Sequence, residues 1–158
     1  MIELRDAGPG DAARLNDGLA RLSAELGDPH RAGPEDIARL CFGPEPAGHG
    51  LIAEAGVALM GVALYSPLVS TAQGGAGTFV SDLWVAPGAR GTGLGPRLLA
   101  EVARRAEARW GAIFLRLAVY HTSPRARGFY DRLGFTALEG QTALGLSGAA
   151  FDRLKEEG

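Results

Sequence analysis

The stretch from Thr78 to Tyr120 constrains the fold more than any other, because it predicts a strand, a helix and a second strand in direct succession. Thr78–Val85 is an apolar strand, and Leu94–Trp110 repeats apolar residues every four positions, as an amphipathic helix does. Ala112–Tyr120 is apolar on both faces, which is typical of a central strand. Such a unit closes as a right-handed crossover between parallel strands.

The remaining segments predict an α/β protein, mixed α+β in its sheet, with one central mixed sheet of about seven strands and helices on both faces. Short apolar runs predict further strands at Ile2–Arg5, Gly50–Ala55, Val57–Tyr65, Phe135–Leu138 and Thr142–Leu146. Apolar stripes predict helices from Pro9 to Leu26 and at Pro34–Phe42. A helix that stops at Gly134 is expected at Ser123–Leu133, and a charged last helix at Ala149–Glu156. The Gly/Ser/Thr/Gln-rich segment Ser70–Gly77 is expected to be a loop. Neither a repeat nor a linker divides the chain, so residues 1–158 are predicted to form a single domain.

Composition limits both the class of protein and the kinds of site. The 158 residues are 46% apolar and 22% charged, as in ordinary soluble globular proteins. No apolar run approaches the roughly 20 residues that span a bilayer, and residues 1–20 lack the order of a secretory signal, so we expect a cytoplasmic protein without a membrane partner. A single cysteine, Cys41, excludes an internal disulfide. The three histidines, His30, His49 and His121, are scattered, so no metal site is expected.

Charge is distributed unevenly along the chain. Residues 1–82 carry 5 arginines and 11 acidic residues, a balance of −6, whereas residues 83–158 have a balance of +4. The overall charge of −2 argues against nucleic-acid binding, which requires a strongly basic surface. Two interpretations of the asymmetry remain open: a cationic ligand facing an anionic one, or ordinary solvated surface charge.

Three glycines, Gly91, Gly93 and Gly95, lie between the predicted strand and the first turn of the long helix. Glycine lets a backbone approach a ligand closely, and a helix N-terminus presents unpaired N–H groups to an anion. Arg90 and Arg97 lie nearby as counter-charges. The spacing differs from the phosphate loop of nucleotide hydrolases and from the dinucleotide-binding fingerprint. The loop therefore either binds another phosphate-bearing ligand or only joins a strand to a helix.

Two motifs resemble those of the GNAT superfamily of N-acetyltransferases. Arg90, Gly93 and Gly95 match its acetyl-CoA loop, Arg/Gln-x-x-Gly-x-Gly/Ala, and Phe129–Phe135 is similar to its Phe-Tyr-x-x-x-Gly-Phe motif. The resemblance extends over nearly the whole chain. It implies the GNAT fold, acetyl-CoA as co-substrate, and transfer of an acetyl group to an amine.

The same resemblance implies a role for individual residues. The backbone of the loop would hold the pyrophosphate, Val85 would pair with the pantetheine arm like an added strand, and Tyr130 would protonate the thiolate leaving group. Tyr130 could instead be an aromatic packed at a helix end. Ser123 replaces an asparagine that often binds the coenzyme, and Pro96 removes an N–H group from the first helical turn. The predicted cofactor-binding residues are Trp84, Val85, Arg90, Gly91, Thr92, Gly93, Leu94, Gly95 and Ser123.

The sequence identifies the base that deprotonates the amine less clearly than it identifies the acetyl-CoA loop. Asp82 is the one acidic residue in its strand, and it is either the catalytic base or a structural hydrogen-bonding group. The layout is similar to the polyamine (spermidine/spermine) and thialysine acetyltransferase branch, in which a Glu-Asp pair stands at the position of Ser81 and Asp82. That branch implies a small cationic primary amine, attacked directly in a ternary complex, and a homodimer is common in the family. The predicted substrate-binding residues are Glu35, Asp36, Ser81 and His121.

Two other functions are compatible with these motifs. One is a catalytically weak module that binds acetyl-CoA and regulates a partner. The other is a GNAT enzyme that acetylates a neutral amine or a protein N-terminus. Thiol release across a panel of amines would distinguish them, because a sensor binds acetyl-CoA without turnover.

Overall fold

A five-stranded mixed sheet is the frame of the first of two units in the computed structural model, which describes residues 1–158. The first unit is Met1–Tyr120 and the second is His121–Gly158. The strands follow chain order in the sheet, and all neighbours are antiparallel except β4 and β5, which are parallel. Their bounds are Glu3–Asp6 (β1), His49–Ala55 (β2), Ala58–Ser70 (β3), Gly75–Val85 (β4) and Leu115–Arg116 (β5).

Helices cover both faces of this sheet, as the sequence predicts. On one face, Ile52 of β2 and Val62 of β3 are paired and pack against Leu15 and Ile37. On the other face, Leu98 lies against the backbone of β3. The bounds of these helices are Ala12–Leu26 (α1, preceded by a 3-10 turn at Pro9–Asp11), Pro34–Phe42 (α2) and Leu94–Trp110 (α3). No helix in the chain is both long enough and apolar enough to cross a lipid bilayer.

Local signals account for the boundaries of these elements. Gly27 and Gly111 end α1 and α3 in the left-handed conformation, with φ of 74° and 68°. This conformation carries no steric penalty for glycine, so a glycine after an apolar stripe predicts a helix end correctly. Gly56, with φ of 59°, lies in the turn between β2 and β3. The predicted helices at residues 34–42 and 94–110 and the predicted hairpin are confirmed.

Four predicted segments differ from the structure, and the sheet has five strands, fewer than the expected seven. The expected loop Ser70–Gly77 is only a short turn, because β3 and β4 pair as far as Ser70 and Gly75. The segment Ala112–Tyr120 contributes two paired residues at the end of the sheet, so it is not a central strand. Phe135–Leu138 and Thr142–Leu146 are not strands, because neither finds a pairing partner. A strand requires a neighbour to satisfy its backbone, and a run of β-forming residues does not supply one.

The second unit contains two helices, α4 at Pro124–Arg132 and α5 at Gly148–Lys155, both close to their predicted positions. Within it, the ring of Tyr130 makes edge-on contacts with Phe129 and Phe135, at centroid distances of 4.9 and 5.4 Å. Gly134, with φ of 94°, reverses the chain after α4 and returns Phe135 to the tyrosine. The motif therefore forms a small aromatic cluster.

We expect Gly18→Ala to destabilise the chain by about 1–3 kcal/mol, although alanine normally stabilises a helix interior. Gly18 lies in the middle of α1, and a Cβ there would lie 2.7 Å from a methyl group of Val62, which is fully buried and cannot move away. Urea denaturation measures the change. Gly128→Ala in α4 is the matched control, because a Cβ there meets only the end of the Arg132 side chain. Equal effects of the two substitutions would contradict this packing.

Candidate active site

A β-bulge at Ser81 determines where Asp82 points. Val80 pairs with Tyr65 and Asp82 pairs with Leu64, so Ser81 is an extra residue without a partner on β3. Tyr65 packs on the α3 face against Trp110 of that helix. In a regular strand Val80 and Asp82 would share that face. The bulge instead places Asp82 beside Leu64, on the face covered by α1 and α2.

Asp82 is a half-buried carboxylate without an arginine or lysine partner. Burial raises the pKa of Asp82, while a hydrogen bond from Ser81 and the nearby His30 act in the opposite direction. The Ser81 hydroxyl has one proton, and it lies 3.2 Å from the Leu64 carbonyl, which competes for that proton. The pKa of Asp82 is therefore above the ordinary carboxyl value, which makes it a stronger base than an exposed aspartate.

His30 belongs to this site, although the sequence suggested only a scattered surface residue. Its Nδ1 lies 3.0 Å from Ser23 Oγ and its Nε2 lies 2.9 Å from Asn16 Oδ1, so both ring nitrogens are held by α1. Its charge is close enough to affect Asp82. No motif marks His30, because it lies in the connection between α1 and α2, far from Asp82 in sequence.

Asp28, in the same connection, is a second half-buried carboxylate that the sequence gave no reason to single out. It accepts a hydrogen bond of 2.7 Å from the hydroxyl of Tyr120, which follows β5. This hydrogen bond raises the pKa of Tyr120. The contact joins the α1–α2 connection to the segment beyond β5, on the side where β4 and β5 separate.

Trp84 links α1 to the end of β4. Its ring is almost fully buried in the core cluster, which is the structural alternative to lining a ligand site. The indole N–H donates to Glu25 Oε1 at 3.1 Å, and the Arg21 guanidinium lies 5.5 Å from the ring centre. Only the backbone of Trp84 is thus available to a ligand beside β4.

The outer edge of β4 is open along its last residues. β5 pairs only with Thr78 and Phe79, whereas β4 continues to Val85. Ala86 N–H donates to the Met60 carbonyl at 2.8 Å. Because hydrogen-bonded and non-hydrogen-bonded pairs alternate in an antiparallel ladder, the N–H and carbonyl groups of Val85 point away from β3. The Val85 N–H and its carbonyl, which accepts a hydrogen bond from Arg90, thus face the open edge of the sheet.

The loop after β4 has the shape of an anion cradle. Gly91 and Gly93 have φ of 77° and 84°, and a Cβ at either position would project into open space. No backbone acceptor binds the N–H groups of residues 91–95. Leu94 begins α3 and is buried, so it anchors the loop to the core. Unpaired N–H groups at a helix N-terminus are the donors that a pyrophosphate requires, so the residues present fit coenzyme A.

The basic and hydroxyl side chains around the cradle are already engaged. Arg97 donates to the backbone carbonyl of Ile2 at 3.1 Å, and Arg90 contacts Glu25 and Val85. Thr92 Oγ1 donates to the Ala89 carbonyl at 2.6 Å. The expected counter-charges of the loop therefore face away from it, and its attraction for an anion comes from backbone N–H groups.

Three site residues predicted from the sequence lie in the second unit. Burial raises the pKa of Tyr130, so its hydroxyl keeps its proton at neutral pH. Ser123 is the N-cap residue of α4, but its side chain forms no capping hydrogen bond. His121 is exposed in the turn before that helix.

The two acidic residues predicted on α2 differ in their contacts. Asp36 accepts a hydrogen bond from Gly33 N–H at 2.9 Å and pairs with Arg39 at 2.6 Å. One oxygen therefore caps the start of α2 and the other is held by an arginine of its last turn. Glu35 is exposed and forms no ion pair. Ion pairing also reduces the excess of negative charge in residues 1–82. Six of the eleven acidic residues there pair with arginine: Asp6, Asp11, Asp17, Glu25, Asp36 and Glu54.

Comparisons with known proteins agree on one family. The sequence model of the acetyltransferase (GNAT) family matches residues 19–135. Thialysine N-epsilon-acetyltransferase from Bos taurus is 30% identical over an alignment of 167 positions, which covers 98% of this chain and 97% of the relative.

Solved structures show the same fold. An integron cassette protein from the mobile metagenome of V. cholerae matches with a TM-score of 0.79 and 20% identity, covering 98% of both chains. Ribosomal-protein-alanine N-acetyltransferase from Brucella melitensis biovar Abortus 2308 matches with a TM-score of 0.75 and 20% identity, covering 92% of this chain and all of that one.

Proposed function

Because this chain belongs to the acetyltransferase (GNAT) family and is an acetyl-CoA-dependent N-acetyltransferase, we propose that its acceptor is a small cationic primary amine, attacked directly in a ternary complex. The observation that carries this proposal is the unpaired Asp82 carboxylate beside the open edge of β4, on the face covered by α1 and α2. The bovine relative is named for thialysine, an amine of this class.

Acetyl-CoA supplies a thioester carbonyl as the electrophile when it is bound. The residues that fit it are the backbone of Val85 at the open edge and the N–H groups of residues 91–95. The glycines there leave space for a diphosphate, and Ser123 remains the proposed side-chain ligand of the coenzyme. Direct attack needs no acyl-enzyme intermediate. Cys41, the one thiol of the chain, is buried in the core, in keeping with that route.

Asp82 and Tyr130 are proposed to move the two protons of the reaction. A cationic amine must lose a proton before it can attack, and the raised pKa of Asp82 makes it a suitable acceptor, directly or through water. The Tyr130 hydroxyl, protonated at neutral pH, would donate a proton to the departing thiolate. The role of Tyr130 rests on the motif together with its half-buried position in the aromatic cluster.

The face of the sheet covered by α1 and α2 is called the acceptor side below. The negative charge that it carries supports a cationic amine as the acceptor. Five acidic residues in 1–82 lack an arginine partner, and of these only Asp28 and Asp82 are half-buried, whereas Glu3, Glu35 and Glu45 are exposed. A charge that is partly removed from solvent attracts a cation more strongly than an exposed one. Asp28 and Asp82 therefore replace Asp36 as the main candidates for holding the substrate's charge, while Glu35, Ser81 and His121 remain secondary candidates.

Acetyl transfer to a panel of thialysine, lysine, diamines, polyamines and neutral alkyl or aryl amines tests the proposal. We expect the cationic amines to have the higher kcat/KM, and the KM of the best of them to rise with ionic strength, because salt screens charges over about 8 Å at physiological concentration. Asp82→Asn should raise that KM further, whereas Asp17→Asn, in an exposed pair on α1, should not. Preference for neutral amines together with a salt-independent KM would contradict a cationic acceptor.

The raised pKa of Asp82 predicts two effects of pH. As the base, Asp82 must be deprotonated, so kcat/KM should fall with decreasing pH at a value above the ordinary carboxyl pKa of about 3.9. Folding also disfavours the charged form, so wild type loses stability as pH rises through the folded-state pKa. Asp82→Asn should therefore have the higher Tm at pH 7, and the difference should vanish below about pH 3.9. A constant difference across this range would show that Asp82 titrates normally.

Three further predictions are retained as part of this proposal. A single domain over residues 1–158 is supported by the family match and by the bovine relative, both of which extend across the two units. A homodimer is proposed because dimers are common in the family, and analytical ultracentrifugation would measure the mass of the particle in solution. A cytoplasmic location is proposed from the composition.

A further inference from the structure

The Arg90 side chain forms three hydrogen bonds that bridge two groups beside the candidate site, the Glu25 carboxylate and the Val85 carbonyl. Its Nη2 donates to both carboxylate oxygens of Glu25, each at 2.7 Å. Its Nε donates to the carbonyl of Val85 at 3.0 Å. Arg90 belongs to the loop of residues 90–95, called the coenzyme loop below, and Glu25 belongs to the last turn of α1. This contact therefore joins the coenzyme loop to the acceptor side.

The bond to Val85 blocks the position proposed for the coenzyme. The Val85 carbonyl points outward from the ladder, toward the open edge of β4. An amide-containing arm that pairs with this edge must use the same carbonyl as its acceptor. The Arg90 Nε and the arm therefore compete for one oxygen, while the anionic diphosphate offers the arginine a new partner.

Glu25 remains in position when Arg90 leaves. Its Oε1 accepts the Trp84 indole N–H, which is buried and has no other hydrogen-bond partner. Releasing that N–H would leave a buried donor unsatisfied, which is unfavourable. Trp84 lies two residues after Asp82 on the same face of β4. A freed Glu25 would thus add a further fixed carboxylate on the face of the sheet that carries Asp82.

We propose that Arg90 is a latch: coenzyme binding draws it away from Val85 and Glu25, and the released Glu25 carboxylate binds the distal charge of the cationic acceptor. This inference rests on the proposed function. In the free chain Arg90 neutralises Glu25, so only Asp28 and Asp82 provide unpaired, half-buried negative charge on the acceptor side. Coenzyme and amine therefore bind with positive coupling, and the coenzyme binds first.

Calorimetry with coenzyme A, which has no acetyl group to transfer, separates binding from turnover. Coenzyme A is titrated into wild type, Glu25→Gln and Asp17→Asn, and thialysine is then titrated into each protein with and without saturating coenzyme A. Glutamine can still accept the Trp84 N–H but has no charge to hold Arg90. Asp17→Asn removes an equal charge from an exposed i,i+4 pair on the same helix.

In wild type, we expect coenzyme A to tighten thialysine binding about tenfold, and thialysine to tighten coenzyme A binding equally. Glu25→Gln should bind coenzyme A about 3- to 10-fold more tightly than wild type and should lose most of the coupling. Asp17→Asn should behave like wild type. Weaker or unchanged coenzyme A binding by Glu25→Gln would overturn the latch and identify the contact as a permanent brace.

The acetylation panel distinguishes a failed latch from a failed function. Acetylation of cationic amines together with unchanged binding by Glu25→Gln overturns the latch and leaves the proposed function intact. Tighter coenzyme A binding by Glu25→Gln without acetylation of any cationic amine supports release of Arg90 and overturns the proposed acceptor. A wild type that binds no coenzyme A overturns both.

Discussion

Tyr130→Phe is expected to lower kcat by roughly ten- to a thousand-fold while the affinity for coenzyme A stays unchanged, as is usual when a positioned acid is removed. The substitution takes away one oxygen and leaves the ring between Phe129 and Phe135, so the aromatic cluster is preserved. Single-turnover measurements with acetyl-CoA isolate the chemical step from product release.

Tyr65→Phe is the matched control for this variant. It removes the hydroxyl of a fully buried tyrosine, which accepts a hydrogen bond from Arg109 on the α3 face. It should lower stability and leave kcat unchanged. A Tyr130→Phe enzyme with full activity would mean that water protonates the thiolate and that Tyr130 has only a packing role.

Gly93→Asp is expected to abolish coenzyme binding without unfolding the chain. Gly93 has φ of 84°, and aspartate tolerates this left-handed conformation better than most residues, so the substitution should lower stability without preventing folding. Its carboxylate would project from the cradle into the space proposed for the diphosphate. Wild type should gain about 2.7 kcal/mol of stability from acetyl-CoA at one hundred times its Kd, and the variant should gain none. A thermal-shift titration measures both.

Two further variants separate charge from shape. Gly93→Asn has nearly the same size as the aspartate variant without its charge, so it should retain part of the thermal shift. Gly111→Asn introduces the same backbone strain at the opposite end of α3 and should retain all of it. An undiminished shift in Gly93→Asp would place the coenzyme elsewhere.

The sequence predicts those parts of the fold whose cause is local. The apolar stripe of α3 and the glycine that ends it lie within one turn of each other, so the bounds of this helix are predicted correctly. The apolar run 112–120 has an equally strong pattern, yet only two of its residues pair. Pairing depends on where β4 and β5 diverge from each other, and no residue within the run 112–120 encodes that divergence.

In the candidate site, too, features with a local cause are predicted and features that depend on distant parts of the chain are not. Asp82 and the glycines stand out because their residue type is unusual for a strand and for a helix start. The contact between Glu25 and Arg90 spans 65 positions and has no local signature. The direction in which Arg90 points is a property of packing, so a motif can identify the residue without predicting its partner.

The bulge in β4 makes the chemistry of the acceptor side unusually open to evolutionary change. Position 81 neither pairs with β3 nor supports the core, so its side chain can be replaced without altering strand register. A substitution there would place a carboxylate, an amide or an aromatic ring next to Asp82. Relatives with one scaffold could then diverge in acceptor preference through this position, without compensating substitutions in the hydrophobic layers.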